Sequence, residues 1–262
     1  MGSNALTRLL VGSAGGVVSE HAAELARGIA VRAGAKLEVL AVETAGLPAL
    51  AAVGEHTQRN GSSPAATWVR GVPGVEIVHR AQALAVDLIV LGRRESATGG
   101  VLPLGRTADT VIRRHDGPCL LVPPSVQRLD RMLLALDGTQ RGLGILEPAA
   151  VLAAVLGAEC QSAHVSGSDS GSGLTTESGW TDPGAQRVRR ALAEFPVLGG
   201  ESALRLRAGA PVGELLATLE EFAANLLVLG VRRGGPPGEM GSGHVGRDLL
   251  RSAPVAILTV PI

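Results

Sequence analysis

Apolar runs of strand length alternate with segments of helical periodicity along this chain of 262 residues. In the second half, Met132–Leu136 and Leu226–Leu229 are continuous apolar runs, as expected of strands covered on both faces. Between them, Val212–Ala223 carries leucines and a phenylalanine at helical spacing. This alternation indicates βαβ units and a parallel sheet.

The pattern predicts five strands and several helices in each half. The strands of the first half are Leu9–Gly12, Lys36–Val42, Thr67–Arg70, Leu88–Leu91 and Cys119–Val122. Those of the second half are Met132–Leu136, Cys160–Val165, Ala203–Arg207, Leu226–Leu229 and Val255–Val260. The predicted helices include Ser19–Arg32, a shortened Ala49–Gln58, Leu143–Leu156, Gln186–Phe195, Val212–Ala223 and Val245–Arg251. Ser166–Gly179, which is rich in glycine and serine, is predicted to be a mobile loop.

The two halves repeat each other at a constant spacing. The segments DLIVLGRR and NLLVLGVRR correspond, and Gly92 and Gly105 recur 138 residues later as Gly230 and Gly243. A fixed internal period sets the number of structural units. We therefore predict two similar domains, residues 1–124 and 131–262, with residues 123–130 as the linker.

Composition excludes several classes of partner. Hydrophobic residues make up 45% of the chain but aromatic ones only 2%, and tyrosine is absent. This disfavours modules that stack bases on aromatic side chains. The 24 basic and 24 acidic residues cancel, so no overall field attracts nucleic acid or an anionic membrane. Lys36 is the only lysine, which rules out a phosphate loop ending in Gly-Lys.

The same features predict a cytoplasmic protein without membrane attachment. Cys119 and Cys160 lie in apolar strand-like runs and are expected to be buried, reduced thiols. The N-terminal apolar segment is broken by glycines and is expected to be a strand and turn rather than a signal peptide. The longest apolar helix, Ala149–Ala158, is too short to span a bilayer.

Four ordered features resemble the universal stress protein family in its tandem form. They are the opening Leu133–Thr139, the pair Gly71–Val78 and Gly209–Leu216, the Asp/Asn-Leu-Ile/Leu-Val-Leu-Gly strand, and a glycine loop that leads through a short helix to a strand ending in proline. The resemblance implies two tandem domains of adenine nucleotide α-hydrolase-like α/β fold, each a five-stranded parallel sheet sandwiched by helices. It further implies ATP binding at the carboxyl ends of the strands and pairing through the final strand, as a homodimer or as an intramolecular pseudo-dimer.

The family's nucleotide pattern is Gly, two residues, Gly, nine residues, then Gly followed by Ser or Thr. In the second half Gly230 and Gly243 match, while Arg233 and His244 replace the middle glycine and the hydroxyl residue. The opening loop keeps an acidic residue, Asp137. By resemblance the candidate nucleotide-binding residues are Asp137, Gly138, Thr139, Val165, Gly230, Arg232, Arg233, Gly243, His244 and Val245.

The first half departs further from the pattern. Its equivalents are Gly92, Arg93, Glu95, Gly105 and Arg106. Glu95 would place a negative charge beside the phosphates, which is unfavourable. Ala14 stands where the second half has Asp137. We therefore expect a degenerate site in the first half and weak binding of ATP or another adenine nucleotide, with or without Mg²⁺, in the second.

Each candidate also has a simpler interpretation. Asp137 could be a turn carboxylate, Arg232 and Arg233 a solvated pair, and His244 a surface histidine. The function predicted first is a non-catalytic, regulatory stress protein that binds nucleotide. The alternatives are a scaffold or dimerisation protein with two degenerate sites, and a nucleotide-using enzyme, for which the residues form no catalytic or metal-binding set.

Overall fold

Continuous apolar segments form the inner parallel strands of two compact units, Met1–Arg128 and Leu129–Ile262, and each unit has five strands. The computed structural model describes residues 5–13, 17–43, 66–95, 104–166, 182–232 and 243–262. The strands Leu88–Gly92 and Leu226–Val231 are buried almost throughout. The predicted α/β fold class is confirmed.

The first unit has the strand order β3-β2-β1-β4-β5. Its described elements are β1 (Arg8–Ser13), α1 (Val17–Ala33), β2 (Lys36–Glu43), β3 (Ala66–Arg70), α2 (Pro73–Leu84), β4 (Leu88–Gly92), α3 (Arg106–Arg114) and β5 (Cys119–Val122). The predicted helix Ala49–Gln58 lies outside the described residues.

The second unit has the equivalent order, β10-β9-β6-β7-β8. Its described elements are β6 (Arg131–Leu136), a 3₁₀ turn (Gly142–Ile145), α4 (Leu146–Leu156), β7 (Glu159–Ser166), α5 (Pro183–Leu192), 3₁₀ turns Pro196–Leu198 and Gly200–Ala203, β8 (Leu204–Ala208), α6 (Pro211–Glu221), β9 (Leu226–Val231), α7 (Gly243–Ser252) and β10 (Ala256–Pro261). None of the helices in the described residues is both long and apolar enough to cross a bilayer.

Helices α4 and α5 each begin three residues away from the predicted position, and proline explains both shifts. Helix α4 begins at Leu146 rather than Leu143, because Pro148 has no N–H to donate and is tolerated only in a first turn. Helix α5 runs over Pro183–Leu192 instead of Gln186–Phe195, because Asp182 caps it and Pro183 opens its first turn. The predicted loop from Ser166 to Gly179 lies, apart from Ser166, outside the described residues.

The two cysteines differ in burial, so the expectation for one of them was wrong. Cys119 is fully buried in β5, and burial raises the pKa of its thiol strongly. Cys160 is only half-buried near the start of β7. Burial, followed by the charge of Glu159, raises the pKa of Cys160 to about 11. Neither is disulfide-bonded, and the raised pKa of each thiol disfavours the thiolate, which is the nucleophilic form.

In the first unit, the Asp87 side chain links the fourth strand to the first through hydrogen bonds. Asp87, immediately before β4, accepts hydrogen bonds from the backbone nitrogens of Thr7 at 2.7 Å and Arg8 at 2.8 Å. It also accepts from the Thr7 hydroxyl at 2.7 Å. The acidic residue of the repeated strand motif therefore satisfies backbone donors where β1 begins.

The second unit makes the same connection with an amide. The Asn225 side-chain oxygen accepts from the backbone nitrogens of Asp130 and Arg131, both at 3.1 Å, and its nitrogen donates to the Asp130 carboxylate at 2.6 Å. Because Asp and Asn share an acceptor oxygen, the alternation of Asp and Asn in the motif has a structural cause.

We expect Asp87→Ala to lower the free energy of unfolding by about 1–3 kcal/mol, because two backbone donors lose their partner. Asp87→Asn supplies the acceptor that Asn225 uses in the second unit, so its effect will be clearly smaller. Urea unfolding followed by circular dichroism measures both variants. Equal losses for the two substitutions would show that the acceptor oxygen is not what matters.

Candidate functional site

A hollow lies at the carboxyl ends of β6, β7 and β9 in the second unit. Its volume is about 200 Å³, whereas one water molecule needs only about 10–15 Å³. Its lining is mostly apolar and comprises Ala135, Leu136, Asp137, Gly142, Ala163, Val165, Pro211, Leu215, Leu229, Gly230, Val245, Leu249 and Ile262. Four residues predicted from the sequence, Asp137, Val165, Gly230 and Val245, are therefore brought together here.

Asp137 forms a turn at the mouth of this hollow. Its Oδ1 atom accepts from the backbone nitrogen of Thr139 at 2.9 Å and from the Thr139 hydroxyl at 2.8 Å. The Thr139 hydroxyl in turn accepts from the nitrogen of Gly142 at 2.9 Å. One carboxylate oxygen thus holds the turn. The other, Oδ2, has no hydrogen-bond partner within the described part of the chain.

Gly138 fits where a side chain would not. Its φ is +72°, and a Cβ atom there would lie 2.7 Å from both the Cα of Gly184 and the Cε1 of His164. Its carbonyl oxygen accepts a hydrogen bond from the guanidinium of Arg187 on α5. The loop after β6 is therefore held closely against the start of α5.

His164 on β7 is a site residue that the sequence analysis missed, because no motif or spacing marks it. Its side chain is only 7% exposed. Its Nδ1 atom lies 2.8 Å from the carbonyl oxygen of Leu136, and its Nε2 atom lies 2.9 Å from Oδ2 of Asp182. Because both nitrogens already face acceptors, the ring is not free to take a proton from a substrate.

Asp182 has two tasks in this arrangement. It caps α5 by accepting from the backbone nitrogen of Ala185 at 2.8 Å, and it pairs with His164. Burial acts to raise the pKa of Asp182, but hydrogen bonds from Ala185, His164 and Gly184 and the charge of His164 outweigh it and lower the pKa. A lowered folded-state pKa means that the stabilisation is present at neutral pH and is lost as pH falls through that pKa. The Asp-Pro sequence is a signal for this cap that could have been recognised.

The glycine side of the hollow is tightly enclosed. A Cβ atom at Gly230 would lie 2.7 Å from Cδ1 of Ile262 and 3.3 Å from Cγ2 of Ile145. Gly243 begins α7, and Val245 in its first turn lines the hollow. His244 and Arg232 are exposed, and Arg233 lies outside the described residues.

The equivalent place in the first unit is occupied by its own helix. Helix α1 begins at Val17, and a Cβ atom at Gly92 would lie only 2.6 Å from the backbone oxygen of Val18. In the second unit the neighbours of Gly230 are the ends of side chains instead. Backbone yields less readily than a side-chain end, so the first unit has less room at this position.

The charged residues of the first unit are engaged locally. Glu95 accepts from the backbone nitrogen of Ser125 at 3.2 Å and from its hydroxyl. Burial lowers the pKa of Arg93, and the nearby charge of Glu95 opposes this. Gly105 precedes α3, and Arg106 is its first residue. Residues 5–13, 17–43, 66–95, 104–166, 182–232 and 243–262 contain no cluster of His, Cys, Asp or Glu that could hold a metal ion.

We expect Gly142→Ala to displace Asp137, because the new Cβ atom would lie 1.9 Å from Oδ1 of that carboxylate. Loss of the turn will lower the free energy of unfolding by about 1–3 kcal/mol. Gly144→Ala is the matched control, since its Cβ atom would have only an ordinary contact, 3.7 Å from Ile262. Thermal denaturation of both variants tests this, and equal melting temperatures would contradict the packing described here.

Comparison with known proteins agrees with this architecture. The family model described as "Universal stress protein family" matches residues 43–123 and 128–261. No curated protein matches the chain. A universal stress protein from Archaeoglobus fulgidus DSM 4304 is similar in structure, with 20% identity, a TM-score of 0.72, and coverage of 97% of this chain and 98% of the other.

Two structures from Pseudomonas aeruginosa are similar over almost the whole chain. A functionally unknown protein from strain PAO1 has 17% identity, a TM-score of 0.70, and coverage of 98% of this chain and 93% of its own. A putative universal stress protein from strain UCBPP-PA14 has 16% identity, a TM-score of 0.71, and coverage of 98% and 94%. These likenesses concern the fold. The two family matches, which together span most of the sequence, show that this chain belongs to the universal stress protein family.

Proposed function

We propose that the second unit binds an adenine nucleotide weakly in the hollow beside Asp137, and that the protein is a non-catalytic regulator in the cytoplasm. The observation that carries the proposal is an apolar hollow at the carboxyl ends of β6, β7 and β9 with a carboxylate at its mouth. Open α/β sheets bind ligands at this edge. Family membership makes an adenine nucleotide the first ligand to test.

The residues that line the hollow offer apolar contacts to the base of a nucleoside and a hydrogen-bond acceptor to its polar groups. Ala163, Val165 and Leu229 provide apolar walls against which a planar base can pack. Asp137 offers Oδ2 as an acceptor for ribose hydroxyl or base amino hydrogens, while Oδ1 holds the turn. Recognition of the sugar and base therefore needs no rearrangement of the turn.

Phosphates would lie towards the start of α7. A helix N-terminus presents unpaired N–H groups to anions, and His244 in the first turn is exposed and can donate. The missing Ser/Thr at position 244 is the reason for proposing weak rather than tight binding.

A scaffold without nucleotide is the second candidate. The first unit favours it, because Val18 lies against Gly92 and the negatively charged Glu95 stands near the strand end. We therefore propose that the first unit does not bind nucleotide, and that the scaffold function applies to the whole protein only if the second unit also fails to bind.

Isothermal titration with ATP, ADP and adenosine tests the proposal. We expect one site per chain, with dissociation constants in the micromolar to millimolar range, and a higher melting temperature with ligand. Ala163→Leu, which fills the hollow, will abolish binding. Asp137→Asn retains an acceptor for the turn but lacks the charge, so it will weaken binding and leave stability nearly unchanged.

Ser162→Ala is the matched control for Ala163→Leu. Ser162 is fully buried on the opposite face of β7, and its hydroxyl has no hydrogen-bond partner among the described residues. It should therefore bind ATP like the wild type. Absence of any heat or melting shift at millimolar ATP, or unchanged binding by Ala163→Leu, would remove the nucleotide proposal and leave the scaffold.

We further propose pairing through the final strands, either between two chains or within one, as family resemblance implies. If two chains pair, sedimentation equilibrium will give twice the mass of the chain, and the dimer fraction will rise with concentration. A monomer at every concentration would exclude the homodimer.

A further inference from the structure

The ring of His164 is surrounded by acceptors rather than by a donor and an acceptor. Nδ1 lies 2.8 Å from the Leu136 carbonyl oxygen, and Nε2 lies 2.9 Å from the Asp182 carboxylate. A carbonyl cannot donate, and neither can an ionised carboxylate. A neutral imidazole has one N–H, so it would leave a buried lone pair facing an oxygen atom. Donation from both nitrogens removes this conflict and gives the ring a positive charge.

This ring and the guanidinium of Arg187 contact the peptide groups on either side of Asp137. His164 binds the carbonyl of Leu136, and Arg187 donates to the carbonyl of Gly138. Both side chains are anchored in turn, because His164 pairs with Asp182 at the start of α5 and Arg187 belongs to that helix. The backbone that carries Asp137 is thus fixed from two directions.

The first unit supplies an internal comparison. Leu136 pairs in register with His164, and the equivalent pair in the first unit is Ser13 with Ala41. The first unit therefore lacks the histidine, and Ala14 stands at the position of Asp137. The histidine and the carboxylate are absent together from the unit for which no ligand is proposed.

We infer that His164, as an imidazolium paired with Asp182, and Arg187 are positioning residues that fix Asp137 in its ligand-ready geometry. This inference rests on the proposed nucleotide site for its functional consequence, but the fixing of the loop is a property of the ligand-free protein. The charged groups concerned are His164, Asp182, Arg187 and Asp137. Nothing in this arrangement transfers a proton to or from a ligand.

The ligand-free protein tests the positioning directly. Ring ¹⁵N NMR at neutral pH should show both nitrogens of His164 protonated in the wild type and only one protonated in Asp182→Asn, whose neutral amide does not stabilise a positively charged ring. Hydrogen exchange at the amides of Thr139 and Gly142 should be about tenfold faster in His164→Ala and Arg187→Met, because the loop loses charge-assisted hydrogen bonds.

Arg190→Met is the matched control, since Arg190 is an exposed arginine of the same helix. It should exchange like the wild type. Asp182→Asn keeps an oxygen that can cap α5, so this variant tests the charge even if His164→Ala does not fold. Asp182→Ala removes both the cap and the charge, and its comparison with Asp182→Asn therefore separates the two effects.

ATP titration then reads the functional consequence. We expect about tenfold weaker binding in His164→Ala and Arg187→Met and unchanged binding in Arg190→Met. A single protonated nitrogen in the wild type, or unchanged exchange in both variants, would overturn the inference. If the exchange results hold and ATP fails to bind even to the wild type, the positioning stands and the proposed nucleotide function fails.

Discussion

Burial of the inner strands on both faces is the constraint on which the rest of this structure depends. Strands such as Leu88–Gly92 and Leu226–Val231 have almost no exposed side chains, so they can exist only with layers of helix on either side. Parallel strands joined by helices all end at one edge of the sheet. The loops at that edge are therefore brought together by the fold, and the hollow of the second unit lies there.

The two units make equivalent hydrogen bonds at the amino ends of their strands, but their structures differ at the carboxyl ends. Asp87 and Asn225 fasten equivalent strands with the same geometry. Arg8 donates to the carbonyl of Leu84 at 2.6 Å, and Arg131 donates to the carbonyl of Phe222 at 2.7 Å. These contacts stabilise the sheet at the amino ends of its strands. They do not involve the residues at the carboxyl ends, where the two units differ.

Divergence at the ligand edge arises from where each first helix begins. In the first unit α1 starts at Val17, four residues after β1, and its first turn lies against Gly92. In the second unit a turn held by Asp137 and a 3₁₀ segment precede α4, which begins only at Leu146. Because α4 starts further from its strand, the second unit retains a hollow where the first has backbone packed on a glycine.

The order of strands and helices, the duplication and the family resemblance were readable from the sequence, because apolar periodicity and spacing are local properties of a chain. The convergence of Asp137, Val165, Gly230 and Val245 was predicted by resemblance, and the structure places all four around one hollow, although their role in binding stays a prediction. His164 and Asp182 could not be paired in advance. They lie 18 residues apart in the chain, and only the packing of α5 against the end of β7 decides that both ring nitrogens meet acceptors. Hydrogen bonds between distant residues depend on tertiary geometry, which no local pattern encodes.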